Sequence, residues 1–242
     1  MLCKLIRAEQ MKLKRSPVWL AFVILPIIPA VMGTLNYRAN IEVLQSEWYS
    51  LWTQHTLFTD YFFLPVMIGI YCSYLMRQET NNHNWNRVLT APVPRAMVYM
   101  AKLICVVMMI LLSEIWIGLL FLLSGKLVGM TAAPPLRELV IWCAFGTLGG
   151  AVMAGIQLLI SLYIRSFALP VGLALAGGIS GLLFLAKDLG HIWPYSLMAY
   201  GMNSNSPQEL LATGYAQFVI TCLVYLALIV LAGSLVIQRR EL

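Results

Sequence analysis

Charged residues are scarce in this chain of 242 residues, since only 11% are Asp, Glu, Lys or Arg. Soluble domains carry roughly 25% charged residues. Hydrophobic residues make up 60% of the chain, and its mean hydropathy is +0.80. A chain of this length cannot enclose so much apolar surface in one core, so the composition predicts a protein whose solvent is lipid.

Catalytic and nucleotide-binding motifs are also lacking. The three histidines, His55, His83 and His191, are scattered, and neither HExxH nor GxSxG occurs. Residues 124–129, SGKLVG, share a Gly-Lys with a phosphate-binding loop but lack its earlier glycine and its following Ser or Thr. We therefore expect no catalytic residue, no metal site and no ATP site on this chain.

The cysteines do not form a pattern typical of disulfides or metal ligands. They are Cys3, Cys72, Cys105, Cys143 and Cys222. Their number is odd, no two are closely spaced, and all but Cys3 lie in apolar stretches, as small buried residues do. In a membrane protein the net charge of +6 indicates on which side of the membrane the basic segments lie, so no nucleic-acid partner is expected.

Six apolar stretches are long enough to cross a bilayer, which takes about 20 residues. They are residues 17–36, 58–76, 99–124, 139–164, 168–186 and 215–237. Pro17 suits a helix start, whereas Pro26, Pro29 and Pro65 should kink their helices. The first stretch is too long for a cleaved signal peptide and lacks a small-residue cleavage site, so none is expected. The prediction is an all-α membrane protein with a single transmembrane domain over residues 1–242.

Residues 1–16 are predicted to form an amphipathic helix on the membrane surface. Its apolar face carries Leu2, Leu5, Ile6 and Leu13, and its basic residues are Lys4, Arg7, Lys12, Lys14 and Arg15. A basic polar face suits an anionic leaflet. Glu9 falls within the apolar face, where it either turns sideways to water or contacts a polar part of the protein, such as the interval 77–102.

The distribution of basic residues predicts the orientation. If the N-terminus is inside, twelve of the 16 lysines and arginines fall on the inner side. They are Lys4, Arg7, Lys12, Lys14, Arg15, Arg77, Arg87, Arg95, Lys102, Arg165, Arg239 and Arg240. Most acids, including Asp60, fall on the outer side. We therefore expect both termini in the cytoplasm.

The predicted outer segments are rich in aromatic residues. Tyr37, Trp48, Tyr49 and Trp52 suit the headgroup region. Within residues 187–214, the stretch IWPYSLMAYGM is too apolar for a free loop and too short to span. It is predicted to be a short re-entrant helix in the outer leaflet before the last span.

Polar and small residues stand out within the spans. Glu114 is an acid deep in a predicted span, where it is either a neutral or hydrogen-bonded group facing another helix or a functional residue. A proton relay is disfavoured because no second buried acid or base is near it in sequence. Gln157 suggests an interhelical hydrogen bond. Small residues recur four apart, which favours close helix packing or a subunit interface; they include Gly146, Gly150, Gly155, Gly177 and Gly181.

The polar interval 77–102 joins the second and third predicted spans on the inner side. Residues 82–89 can form a short helix along the membrane, with Trp85, Val88 and Leu89 toward the protein, and Pro92 and Pro94 then break it. A short transverse helix between two long helices can fit a cleft on a soluble partner and pass on rigid-body motion. The alternative is a solvated loop.

The basic segment AEQMKLKRSP at 8–17, the six spans, Glu79 and the stretch WNRVLTAPVPRAMVYMAKL at 85–103 together resemble an ABC-2-type ABC transporter permease. The chain's size and its loop ETNNHNWNRVLTAPVPR are similar to the lantibiotic-immunity group. In that family the transverse loop helix is the coupling helix. The resemblance assigns this role to Glu79, Asn82, Asn84, Trp85, Arg87, Leu89, Pro92 and Arg95.

The resemblance implies an exporter subunit in the bacterial cytoplasmic membrane. It would contact lipid, a separate ATP-binding subunit that holds ATP and Mg, and a second permease, identical or related. Its cargo would be a lantibiotic or similar amphipathic peptide, or alternatively another drug or a lipid. An intramembrane enzyme would need convergent catalytic residues, and a structural or sensory membrane protein would not need a shaped cytoplasmic loop.

Overall fold

The computed structural model describes residues 1–81, 84–90, 92–204, 206 and 214–239; within 84–90 it describes the side chains of Asn84, Trp85, Val88 and Thr90. The helices are α1 Leu2–Leu13, α2 Val18–Ile24, α3 Ile27–Ala39, α4 Glu47–Phe58, a π-helical segment Thr59–Phe63, α5 Leu64–Thr80, α6 Asn84–Thr90, α7 Arg95–Val128, α8 Leu136–Tyr163, α9 Ala168–Leu185, α10 Leu197–Gly201 and α11 Tyr215–Gln238. No strand occurs among these residues, so the all-α prediction is confirmed.

Six helical stretches in the described ranges are long and apolar enough to cross a membrane. They are Val18–Ala39, Glu47–Thr80, Arg95–Val128, Leu136–Tyr163, Ala168–Leu185 and Tyr215–Gln238. Large apolar side chains cover their outer surface, with Leu127 71% and Val140 69% exposed. Because such a surface requires lipid, the chain is a multi-pass membrane protein, as the composition predicts.

Two prolines shape the first two spans. The first breaks between Ile24 and Ile27, at Pro26. In the second, Pro65 follows the π-helical segment, whose wider turn accommodates the missing N–H and the ring. The second span is therefore helical from Glu47 to Thr80, much longer than the predicted 58–76.

The aromatic residues before the predicted second span lie inside the bundle, which corrects their expected place at the headgroups. Tyr37, Trp48 and Trp52 are 4%, 4% and 0% exposed. Trp52 stacks on Trp142 of α8 at 5.1 Å and meets Phe121 of α7 edge-on at 5.0 Å. The helix that begins at Glu47 presents Trp48 and Trp52 to α7 and α8, so these rings pack against protein rather than lipid headgroups.

The segment between α9 and α11, which the structure describes over residues 186–204, enters the bundle, in agreement with the predicted short helix before the last span. We call residues 186–204 the re-entrant segment. Leu197, Met198 and Gly201 of α10 are buried. The Leu197 carbonyl packs directly against Gly149 of α8. Gly149 lies about 20 Å along α8 from its start, at 1.5 Å per residue, so the segment reaches the middle of the bundle.

Candidate functional site

Four charged side chains from three helices meet at the end of the bundle where α6 lies. We call them the ion network: Glu9 and Lys12 of α1, Glu79 of α5 and Lys102 of α7. Lys102 Nζ is 2.9 Å from Glu9 Oε2 and 2.6 Å from Glu79 Oε1. Lys12 Nζ is 2.7 Å from Glu9 Oε1 and also pairs with Glu79. The network therefore ties α1, α5 and α7 to one another.

The ion network is buried and balanced in charge. The side chains of Glu79 and Lys102 are fully buried, that of Glu9 is 7% exposed, and that of Lys12 is 25% exposed. Burial lowers the pKa of Lys12, but the charge of Glu9 and the hydrogen bonds that Lys12 donates to Glu79 and Glu9 outweigh it, so its pKa is raised above the usual 10.5. Two cations facing two anions leave no uncompensated buried charge, which is the condition under which such a cluster is stable.

The short helix α6 is attached directly to this network. Asn84, its first residue, donates from Nδ2 to Glu79 Oε2 at 2.6 Å. Trp85 follows and is 8% exposed, packed in the apolar core. Lys102 Nζ also lies 3.4 Å from the Leu75 carbonyl on the last turns of α5. A movement of α6 would therefore act on α5, α1 and α7 through one buried cluster.

The remaining residues assigned to the loop are placed as follows. Pro92 is exposed between α6 and α7, and Arg95 at the start of α7 donates from Nη1 to the Gln238 carbonyl of α11 at 3.0 Å. Arg87 and Leu89 lie on α6, but their side chains fall outside the described set, and Asn82 lies outside the described residues.

Helix α1 supplies half of the ion network. Glu9 and Lys12 are one turn apart on the same face and hold one another as an i,i+3 pair. Of the two alternatives for Glu9, the structure has the contact with the polar interval 77–102, through Lys102, which also binds Glu79 of α5. Lys14 and Arg15 are exposed, with Arg15 in the left-handed region at φ 66° where α1 ends.

Lys102 was not assigned a role from the sequence, although it is the fully buried cation on which both acids converge. The signal was present: Lys102 falls inside the predicted span 99–124. A lysine within an apolar span is rare unless a partner compensates its charge. The partners of Lys102 are Glu9, four residues before α1 ends, and Glu79, at the end of α5.

Most of the small residues singled out in the fourth and fifth spans contact the re-entrant segment. Tyr195 packs on Gly177, and its carbonyl oxygen lies 2.9 Å from where a Gly181 Cβ would be. Met202 packs on Gly146, Met198 contacts Gly150, and Ile229 of α11 packs on Gly155. Gln157 lies 3.0 Å from the Tyr195 hydroxyl. These contacts are within the chain.

Asp60, which the orientation count places among the outer acids, is fully buried in the π-helical segment. The Ser204 hydroxyl donates to Asp60 Oδ2. Glu114 of α7 is also fully buried, with neither carboxyl oxygen hydrogen-bonded within the described part of the chain. A second buried acid therefore does accompany Glu114, although it lies 54 positions away in sequence.

Comparison with known proteins supports a transport role. A family model described as "ABC-2 family transporter protein" matches residues 5–181, which run from α1 into α9 and include the whole ion network. A search of curated proteins found no match.

Proposed function

The chain belongs to the ABC-2 family of transporter proteins, and from this premise we propose that α6 and the ion network receive the movement of the ATP-binding subunit. A permease of this family is the membrane component of an ABC exporter, and ATP hydrolysis belongs to a separate subunit. The observation that carries the proposal is the contact of Asn84 with Glu79, because it links the transverse helix to three long elements through buried charges.

The buried ion pairs give this link a physical basis. A surface contact of lysine and carboxylate contributes roughly 0–1 kcal/mol and shifts easily, whereas a buried one moves as a unit, because separating its charges in an apolar surrounding is costly. A push on α6 is thus delivered to α1, α5 and α7 together. Two such permeases would change access to the transported molecule when their α6 helices move.

The complete assembly has both termini in the cytoplasm of a bacterial cell. It comprises two permeases, identical or related, and ATP-binding subunits that hold ATP and Mg. The transported molecule is a lantibiotic or similar amphipathic peptide, which the exporter removes from the producer's own membrane. The substrate part of the proposal is supported by the resemblance of the loop at residues 79–95 and by the chain's size.

Isolation from its native membrane tests the coupling. The chain should co-purify with an ATP-binding subunit, and Glu79→Ala should reduce the recovered subunit or its ATPase activity several-fold while the chain still inserts. Glu42→Ala, at an exposed acid outside the network, is the matched control. If the Glu79→Ala variant binds the ATP-binding subunit normally and its ATPase activity is unchanged, α6 and the ion network do not transmit the movement of that subunit.

Peptide protection tests the substrate separately. Cells with the assembled exporter should survive higher lantibiotic concentrations than cells with the Glu79→Ala exporter at equal membrane levels. Unchanged sensitivity with an active, assembled complex would exclude the peptide and leave another drug or a lipid as cargo.

A further inference from the structure

Two buried acids lie beside the same turn of the re-entrant segment, far from the ion network. Asp60 lies 19 residues before Glu79 on one continuous span, or about 28 Å at 1.5 Å per residue. Asp60 Oδ2 accepts a hydrogen bond from Ser204. Glu114 Oε1 lies 2.9 Å from where a Gly146 Cβ would be, and Met202 packs against the same glycine. Residues 202–204 thus bind Asp60 through Ser204 and lie next to Glu114 at Gly146.

Neither acid has a compensating cation. All salt bridges among the described residues belong to the ion network, and Asp60 Oδ1 and both Glu114 oxygens have no hydrogen-bond partner there. A negative charge on either carboxyl group would therefore have no counter-ion among these residues.

The other titratable groups near the acids form no ion pair with them among the described residues. Cys143 of α8 approaches the Glu114 backbone carbonyl at 3.6 Å, and Tyr61 adjoins Asp60. His55, on the preceding turns, is buried and lies 3.1 Å from the Thr34 hydroxyl. Ionisation of either acid would thus bury a carboxylate with no counter-ion among these residues, which is strongly unfavourable in the interior of a membrane protein.

We propose that Asp60 and Glu114 form a proton-binding site, in which both carboxyls are protonated while residues 202–204 are seated against them. Neutral carboxyls fit the surroundings: Asp60 Oδ2 accepts from the Ser204 hydroxyl, and Glu114 shares the space beside Gly146 with the apolar side chain of Met202. The site has no role in the coupling proposed for the ion network and depends on no particular transported molecule.

The position of the re-entrant segment is then linked to proton uptake. The turn is held by the Trp52 indole, which donates to the Met202 carbonyl at 2.8 Å, as well as by Ser204. When the turn leaves, water reaches both acids and each releases one proton; when it returns, each takes one back from water. Because the seated state binds more protons, a rise in pH favours the displaced state.

Infrared spectroscopy of the full chain in a detergent without ester groups, which leaves the carboxylic-acid C=O region free, tests the site directly. At neutral pH the protein should show a C=O stretch of protonated carboxylic acids. Asp60→Asn and Glu114→Gln should each remove about half of it, and the double variant should remove all of it. Glu42→Gln, at an exposed acid, is the control and should leave the band unchanged. A neutral-pH spectrum without this band, or a band that survives both substitutions, would overturn the proposal.

A second measurement uses the unaltered chain, in case a variant fails to fold. Titration toward alkaline pH should remove the C=O band and lower the thermal unfolding midpoint in parallel. If the acids bind a metal cation instead, the band should be absent at neutral pH and appear only after the cation is removed, which contradicts the proposal. Loss of the coupling at α6 alone would leave both results unchanged, so the two proposals fail independently.

Discussion

Replacing Lys102 with methionine removes the fully buried cation of the ion network while retaining its volume. Glu9 and Glu79 then share Lys12 alone, whose side chain is 25% exposed and hence partly screened by water. Removing one partner of a buried ion pair costs about 3–5 kcal/mol, because the other charge stays buried without compensation. We expect a loss near the lower end, about 3 kcal/mol, since Lys12 remains in contact with both acids.

A double-mutant cycle separates this cost from lost packing. Glu79→Gln combined with Lys102→Met removes one charge of each sign and keeps the Glu9–Lys12 pair at 2.7 Å. The double variant should be more stable than the sum of the two single effects, by roughly 0.5–3 kcal/mol, as is usual for directly contacting residues. Denaturant unfolding in lipid–detergent micelles measures the free energies, and trypsin cleavage within α1 reports whether that helix has detached.

The control for this prediction is Lys4→Met, the same chemical change at an exposed lysine of α1. Its effect should stay within about 0.5 kcal/mol. If Lys102→Met matches this control, or if the two substitutions in the cycle are simply additive, the ion network does not hold α1, α5 and α7 together.

Three further predictions follow from particular contacts. Trp85→Ala should reduce recovery of the ATP-binding subunit in pull-downs several-fold without affecting membrane insertion, because Trp85 fixes α6 in the core, whereas Leu183→Ala on the lipid-facing side of α9 should not. Gly149→Ala should destabilise the chain by about 1–3 kcal/mol, because the added Cβ would collide with the Leu197 carbonyl. Thermal or denaturant unfolding measures this loss. The control Gly172→Ala, at a glycine with open space around it, should be neutral or stabilising. The raised pKa of Lys12 means that its stabilisation is fully present below the usual 10.5 and is lost as pH rises through the higher folded value. The thermal unfolding midpoint should therefore fall over that alkaline range, and Lys12→Met should reduce the fall.

Much of the fold follows from properties that the sequence carries locally. Apolar runs of about 20 residues form helices in lipid because each backbone group must be hydrogen-bonded within its own segment. This requirement accounts for the six spans, for the break at Pro26 and for the short helix α6, each within a few residues of its predicted place except the second span, which begins at Glu47 rather than at residue 58. The odd position of Glu9 on an apolar face likewise pointed to a polar partner elsewhere in the protein.

Other features depend on which helices become neighbours. The helix that begins at Glu47 could not be inferred, because its polar and aromatic residues suit either an interface or a protein interior, and only α7 and α8 supply the rings against which Trp52 packs. The convergence of both acids on Lys102 brings together residues 93 and 23 positions apart. No local pattern specifies such a distance.

The sequence by itself determined the membrane class, the number of spans and the likeness to a transporter family, because these depend on hydrophobicity and on short local motifs. Only the tertiary structure decided which charges are compensated. It brought Glu79 to two lysines and left Asp60 and Glu114 without any among the described residues. The free energy of a buried charge depends on what surrounds it, and the surroundings of each acid come from helices remote in the chain.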